Sequence, residues 1–359
     1  MKPNRVVIAG GGTGGHLYPG IAVARELRRR RPDVIVTFAG TARGIESTVV
    51  PREGFALDVL RSTGLKGMSP RALARGLSLL PLSAFDAWRI VSRRRPQLVI
   101  GVGGYSSGAV VLVAALRNIP TLLLEQNAIP GFTNRRLAPF VSAAAVTYDT
   151  TASYFGRRGF VTGNPVRPEF FEPPPAADGP PGILIFGGSQ GAHAINMAMV
   201  EAAPRLAADA GRLAITHQTG ERDLGRVRDG YRAAGLEARV EPFLFAMDRE
   251  MRSASLVICR AGATTLAELT AAGRPSILVP LPTAADDHQR KNAQVLASAG
   301  AAELLDQGQM TGDRLAERIL ALVADRDRLR AMSAAAASLA KPNAARAIVD
   351  RALTLLEPQ

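Results

Sequence analysis

The sequence predicts an α/β protein made of two doubly wound parallel-sheet domains facing a central cleft. Three observations lead there. Short runs apolar on both faces alternate with segments of helical spacing along the first half. A proline-rich interruption follows over residues 163–182. Beyond it the opening recurs: a buried strand, a glycine loop and a helix. Strands that are apolar throughout and separated by helices belong in a parallel sheet covered on both sides. Two such halves place a ligand cleft at the carboxyl ends of the strands. At 359 residues the length suits two domains of about 150 residues each.

The first domain is assigned to residues 1–162, with strands expected at Val6–Ala9, Val34–Ala39, Leu98–Val102, Thr121–Leu124 and Ala143–Val146. Residues 163–182 read as a linker, because proline fits neither central strands nor helix interiors. The second domain, 183–340, opens with the strand Gly182–Phe186 and the loop Gly187-Gly188-Ser189-Gln190-Gly191-Ala192, which leads into a helix over 194–208. Further strands are expected at Leu213–His217, Val240–Phe243, Leu256–Cys259 and Ser276–Val279, with helices over 313–325 and 327–339. The last helix, within 341–359, is expected to pack back on the first domain.

Net charge is +13, and lysine occurs only at positions 2, 66, 291 and 341, so forty of the 44 basic residues are arginine. Such an excess favours anionic partners in general, and only its location selects among phosphates, lipid and nucleic acid. With 5% aromatics and no basic–aromatic strand, base stacking has little support, so nucleic acid is not expected. One cysteine, Cys259, rules out an internal disulfide framework and suits a reducing compartment. A strand begins within five residues of the N-terminus with no charged-then-apolar leader, so no secretion signal is expected. The longest apolar runs, such as Ala109–Leu116, fall far short of the ~20 residues that span a bilayer.

The first glycine loop, Gly10-Gly11-Gly12-Thr13-Gly14-Gly15-His16, lies between a strand and a segment of helical spacing over 20–31. So many glycines are too costly in backbone entropy for a helix or strand, and suit a tight turn whose amides a ligand can approach. At a helix N-terminus those amides and the dipole stabilise a phosphate or diphosphate; a turn kept for packing alone is the alternative. Thr13 adds a hydroxyl and His16 a titratable group. Neither glycine loop is the usual dinucleotide fingerprint, because Asp33 precedes the second strand where a ribose ligand would end it. That shifts the reading from a dehydrogenase towards a nucleotide-sugar site.

Six motifs, in order and spacing from about residue 5 to 300, carry a resemblance. They are Gly10–His16 with Tyr18-Pro19-Gly20, Glu125-Gln126-Asn127, Gly163-Asn164-Pro165-Val166-Arg167, Gly187–Ala192, Cys259-Arg260-Ala261-Gly262-Ala263 with Glu268, and Asp287-His288-Gln289 with Asn292-Ala293. Together they resemble the MurG family of bacterial glycosyltransferases, family 28. The resemblance implies the GT-B architecture of two Rossmann-like domains. It implies transfer of N-acetylglucosamine from UDP-GlcNAc to the muramyl 4-hydroxyl of lipid I, undecaprenyl-pyrophosphoryl-MurNAc-pentapeptide, giving lipid II in peptidoglycan synthesis.

Residue by residue, the resemblance implies a UDP-GlcNAc site with Ser189 on the diphosphate, the backbone at Leu244 on the uracil edge and Glu268 on the ribose hydroxyls. Gly262, Ala263 and Thr264 head the helix that carries Glu268, and Gln289 and Asn127 reach sugar hydroxyls. Arg167 stands beside the linker, and Thr13, Gly14 and Gly15 join the donor contacts. The acceptor diphosphate falls to Gly12, Thr13, Gly14 and Gly15 with Gly103, Gly104 and Tyr105. His16 is the candidate base or an acceptor-phosphate contact. Without an Asp-x-Asp motif no obligatory metal or cofactor is expected, and helix dipoles with arginines such as Arg260 would stabilise the leaving diphosphate. Ordinary structural roles compete at each position: a helix cap at Ser189, a solvated acid at Glu268, surface amides at Asn127 and Gln289, surface charge at Arg167 and a plain strand-end residue at Arg260.

The sequence departs from the family pattern in three places. Leu124 stands where many members have histidine, so no base comes from there. His288 stands where some have glutamine, and Phe245-Ala246 replaces Asp-Asp before Met247.

A lipid-linked acceptor needs a bilayer surface. Between Ser69 and Pro96, Leu73, Leu77, Leu80, Ala84, Trp88 and Val91 fall on one helical face, expected to be buried. Leu82 and Phe85 point elsewhere, beside Arg71, Arg75 and Arg89, as an interfacial helix would arrange them against anionic lipid. An ordinary core helix with a solvated basic face is the competing reading. The expected location is the cytoplasmic face of the bacterial inner membrane, peripherally bound, with cell-wall synthesis and division proteins as further partners. A UDP-GlcNAc 2-epimerase of the same fold, a dinucleotide oxidoreductase and a nucleic-acid binder are the rival functions.

Overall fold

The computed structural model describes residues 3–42, 44–62, 79–174, 179–188, 190–208 and 213–357. The chain divides into two compact units, Met1–Arg167 with Lys341–Gln359, and Pro168–Ala340. The described residues of the first unit form a seven-stranded parallel sheet from β1 (Arg5–Ala9), β2 (Ile35–Gly40), β3 (Ala56–Val59), β4 (Leu98–Gly101), β5 (Thr121–Glu125), β6 (Ala143–Val146) and β7 (Gly159–Val161). Their spatial order is β3-β2-β1-β4-β5-β6-β7. The order therefore reverses between β1 and β4, which are paired from Val6↔Leu98 to Ala9↔Gly101.

Alternation along β1 explains the two-sided core. Val6 and Ile8 face α1 (Gly14–Arg30) through Leu17, Ile21 and Leu27. Val7 and Ala9 face the opposite layer, where α3 (Leu80–Arg94) follows the short α2 (Glu46–Arg52) and contributes Ala87, Ile90 and Val91. Beside α3 in that layer, α4 (Tyr105–Leu116) contributes Val110, Val111 and Ala114. The α1 layer is completed by the chain's last helix, Ala344–Leu356, through Ile348, Val349 and Ala352, and Arg30 pairs with Asp350.

The second unit repeats the plan with six strands among the described residues: β8 (Gly182–Phe186), β9 (Ala214–Gln218), β10 (Ala238–Glu241), β11 (Leu256–Cys259), β12 (Ser276–Leu278) and β13 (Ala302–Leu304). Their order is β10-β9-β8-β11-β12-β13, reversing between β8 and β11. Residues 168–174 belong to this body. Phe170 is fully buried, and Arg252 donates to the Pro173 carbonyl at 2.7 Å.

The strands that sequence reading missed, or displaced by more than one residue, are all edges. β3, β7 and β13 have no counterpart among the expected strands, and β10 starts two residues earlier than expected. An edge strand is short and half-exposed, so it lacks the continuous apolar run that marks a central one. Helix α1 begins at Gly14, before the apolar spacing becomes visible, because Gly14 and Gly15 form its first turn.

Candidate functional site

In the first unit the loops that follow β1, β4 and β5 converge at the sheet's switch point. Gly103 has φ +93°, and a Cβ there would stand 2.7 Å from Nδ1 of His16; one at Gly104 would stand 3.0 Å from the carbonyl oxygen of Gly11. The two glycine loops thus lie against each other, with His16 between them and Tyr105 opening α4 beside them. Thr13 caps α1, so the amides of Thr13 and Gly14 precede any helical carbonyl that could accept from them. Gly12, with φ +84°, faces open space on its Cβ side.

Two buried side chains that carried no expected role hold this arrangement. Glu46, at the start of α2, is fully buried. Its Oε2 accepts from the Gly12 amide at 2.7 Å, and its Oε1 accepts from both the amide and the hydroxyl of Thr41 at 2.8 Å. The Gly12 amide is therefore engaged by the protein, and an anion on this loop would rely on the amides after it. Gln126, also buried, donates through Nε2 to the Val102 carbonyl at 3.1 Å and turns Oε1 towards His16 Nδ1 at 3.2 Å.

Next to Gln126, Glu125 closes the following loop. Its oxygens accept from the Asn127 amide at 3.0 Å, Asn127 Nδ2 at 3.1 Å, the Gly131 amide at 3.0 Å and Asn134 Nδ2 at 2.9 Å. Asn127 is thereby fixed in orientation beside the His16 pocket. Arg167 lies over the ring of Tyr18, 5.5 Å from its centroid, which places this cation on the opening turns of α1.

In the second unit, Ser189 lies outside the described residues, but the loop around it is defined. Gly191, at φ +73°, admits no Cβ, which would run into the Thr219 carbonyl. The helix α5 (His193–Ala207) starts directly afterwards. Gln218, buried at the end of β9, ties two segments together: its Nε2 donates to the Gly188 carbonyl and its Oε1 accepts from the Leu244 amide, each at 2.9 Å. The Leu244 amide is thus engaged, and its carbonyl is the group left to read a uracil edge. Phe243 and Phe245 flank it edge-to-face with centroids 5.0 Å apart, and Phe245 is 86% exposed.

Gly262 caps the helix Ala263–Ala272, which carries Thr264 and Glu268. The charge of Glu268 adds to the effect of burial in pushing the Cys259 thiol up, consistent with a carboxylate set over the end of β11. Arg260 is tied into the protein by its own hydrogen bonds. Its guanidinium donates to the carbonyls of Val279 at 3.1 Å and Pro280 at 3.2 Å and to Gln307 Oε1 at 2.6 Å. Gln289 sits in the first turn of the helix His288–Ser298 and accepts from the Leu281 amide at 2.9 Å. Asp286 and Asp287 precede it at φ 55° and 54°, a conformation costly for non-glycine residues that recurs at functional turns.

A neutral histidine underlies this second site. Asn196 Nδ2 donates to the Thr219 carbonyl and to Asp223, so its Oδ1 faces His217 Nε2 at 3.1 Å, while His217 Nδ1 meets the Tyr231 hydroxyl at 2.7 Å. Burial pushes the His217 imidazole down to about 3, with the Asp223 charge pulling the other way. The unfolded chain binds a proton at this residue below about pH 6.5 and the folded chain does not, so stability falls as pH drops through that range. Between about pH 7 and pH 5 this residue should cost about 2 kcal/mol. Denaturant melts of wild type and His217→Gln at the two pH values should show that extra loss in the wild type alone.

The face of α3 differs from its expected phase. Ser83, Ala87, Ile90 and Val91 are the buried residues, whereas Leu80, Ala84 and Trp88, expected inside, are exposed. Trp88 is 53% and Phe85 55% exposed, and their rings stack at 6.3 Å. The helix begins at Leu80 with Pro81 in its first turn, so a phase carried from residues before it does not apply. Leu82 and Arg89 lie on this exposed side, and Leu112 and Leu116 are exposed on the adjacent α4. Arg71 and Arg75, with Leu73 and Leu77, lie outside the described residues. Among the described residues no helix is long and apolar enough to cross a membrane.

Two parallel-sheet units, each with a glycine loop and helix N-terminus at its switch point, have the architecture of the GT-B fold. Residues 6–146 match the glycosyltransferase family 28 N-terminal domain and residues 182–348 the glycosyltransferase family 28 C-terminal domain. The chain is 48% identical over 356 residues to the UDP-N-acetylglucosamine--N-acetylmuramyl-(pentapeptide) pyrophosphoryl-undecaprenol N-acetylglucosamine transferase of Anaeromyxobacter sp. (strain K), covering 98% of this chain and 93% of that one. It is 45% identical to the protein of the same name from Syntrophus aciditrophicus (strain SB), covering 98% and 99%. Among solved structures, Acinetobacter baumannii MurG aligns at 32% identity and a TM-score of 0.79 over 98% of this chain and 100% of that one. A UDP-GlcNAc 2-epimerase from Neisseria meningitidis, at 14% identity and a TM-score of 0.70 over 98% and 100%, shares the fold alone. The chain belongs to glycosyltransferase family 28, within its MurG branch.

Proposed function

We propose that this protein transfers N-acetylglucosamine from UDP-GlcNAc to lipid I, forming lipid II. The observation that carries the reading is 48% identity across nearly the whole chain to a transferase named for that reaction, together with a convergent site in each unit. The donor is UDP-GlcNAc, held by the second unit. The helices opening at His193 and Ala263 direct their N-termini at the diphosphate, Ser189 adds a hydroxyl, the Leu244 carbonyl reads uracil, and Glu268 takes the ribose. Gln289 contacts the sugar.

The acceptor diphosphate is assigned to the amides of Thr13, Gly14 and Gly15 with the Gly103–Tyr105 loop. His16 accepts the proton of the muramyl 4-hydroxyl as that oxygen attacks the anomeric carbon, and UDP departs with inversion. Incubation with UDP-GlcNAc, with and without a lipid I analogue, tests the function. UDP release that requires the acceptor is expected; an epimer or free sugar formed without acceptor would favour the epimerase reading.

The exposed Leu80, Leu82, Phe85 and Trp88 face of α3, with Arg89, suits peripheral docking on the anionic cytoplasmic leaflet where the acceptor resides. Each apolar side chain inserted is worth about 1.5–3 kcal/mol at full burial. Leu82→Glu with Phe85→Glu should therefore weaken binding to anionic vesicles by about 100-fold or more, while melting temperature and turnover of a detergent-soluble acceptor stay unchanged. Unaltered co-sedimentation with vesicles would count against this face.

A further inference from the structure

We infer that Gln126 is a positioning residue that locks His16 in the tautomer protonated at Nδ1, leaving the Nε2 lone pair to receive the acceptor's proton. The argument starts from the amide. A backbone carbonyl only accepts, so the Gln126 end facing the Val102 carbonyl at 3.1 Å is its nitrogen. The end facing His16 Nδ1 at 3.2 Å is then the oxygen, which also only accepts. A neutral His16 satisfies that oxygen by carrying its proton on Nδ1, and the hydrogen bond on one ring nitrogen thereby dictates the state of the other.

Gln126 is buried and cannot turn without losing both bonds. Room on the Nδ1 side is equally restricted, because Gly103 packs there so closely that a Cβ would stand 2.7 Å from that nitrogen. His217 shows the opposite outcome from the same logic. There the oxygen of Asn196 faces Nε2, and the Tyr231 hydroxyl donates to Nδ1. Two histidines in one chain are thus set in opposite tautomers by side-chain amides.

The catalytic meaning rests on the reading of His16 as base, and the test separates the two. With four histidines in the chain, nitrogen-15 NMR of the full-length apo-protein at alkaline pH can resolve each imidazole, with His16→Ala assigning the signal of interest. His16 is expected to show a protonated Nδ1 and a bare Nε2, and His217 the reverse. Gln126→Leu should spread His16 over both tautomers and lower kcat by about 10- to 100-fold with the KM for UDP-GlcNAc unchanged. Gln126→Asn, whose shorter amide does not span both partners, should behave likewise if the leucine variant folds poorly. A wild-type His16 protonated at Nε2, or a tautomer unmoved by either substitution, overturns the proposal whatever His16→Ala does to turnover. Normal turnover in His16→Ala alongside an Nδ1-protonated wild type overturns the base reading instead.

Discussion

His16→Ala should lower kcat by about 100- to 10,000-fold, the range a positioned general base contributes, while leaving affinity for UDP unchanged. The asymmetry follows from where the residue sits. His16 belongs to the first unit, wedged between the Gly10–Thr13 and Gly103–Gly104 loops. The groups proposed to read uracil and ribose, at Leu244 and Glu268, are built on the other unit with its own core. A substitution that touches one body should not alter nucleotide binding by the other, so kcat and UDP affinity report on different parts of the molecule. Calorimetry with UDP and a steady-state assay with a soluble acceptor measure both. Near-normal kcat in the variant would remove His16 from the chemistry and leave it a packing or phosphate-binding residue. Loss of UDP affinity would mean that the substitution had acted through the fold.

The switch-point loops were legible in the sequence because glycine runs after apolar strands have few other uses. Gly10–Gly15 and Gly187–Ala192 both proved to lie where the strand order reverses. What was not legible is the layer beneath them. Glu46 reads in sequence as an acidic residue on an amphipathic turn, and Gln218 as the polar end of a strand. Nothing local distinguishes them from solvated side chains, because their partners lie at Gly12 and Thr41, and at Gly188 and Leu244. Gln126 was within reach, since it stands inside a motif whose next residue, Asn127, was given a role, yet its own role depends on Val102, distant in sequence. The misjudged phase of α3 has the same root. Periodicity assumes one continuous helix, and the described helix begins at Leu80. Long-range contacts create these functions, and a single sequence does not print them.

Glu46→Ala tests that hidden layer directly and should destabilise the first unit. It would strip the acceptor from three donors at once: the Gly12 amide, the Thr41 amide and the Thr41 hydroxyl. The carboxylate is buried but its donors on Gly12 and Thr41 are partly exposed, so water restores part of each bond and a loss of about 1–3 kcal/mol is expected. Glu46→Gln should fall between variant and wild type. One amide oxygen can keep either the Thr41 pair or the Gly12 amide, but the NH2 group then opposes a donor on the remaining side. Turnover should fall with stability in both variants, because Gly11 to Thr13 is the segment that leads into His16. Three glycines, Gly11, Gly40 and Gly44, leave room for this carboxylate by having no side chain of their own. Thermal melts of the two variants, read beside UDP affinity as a control for the second unit, decide the matter. A Glu46→Ala protein that melts and turns over like wild type would show that the loop holds its shape without this anchor.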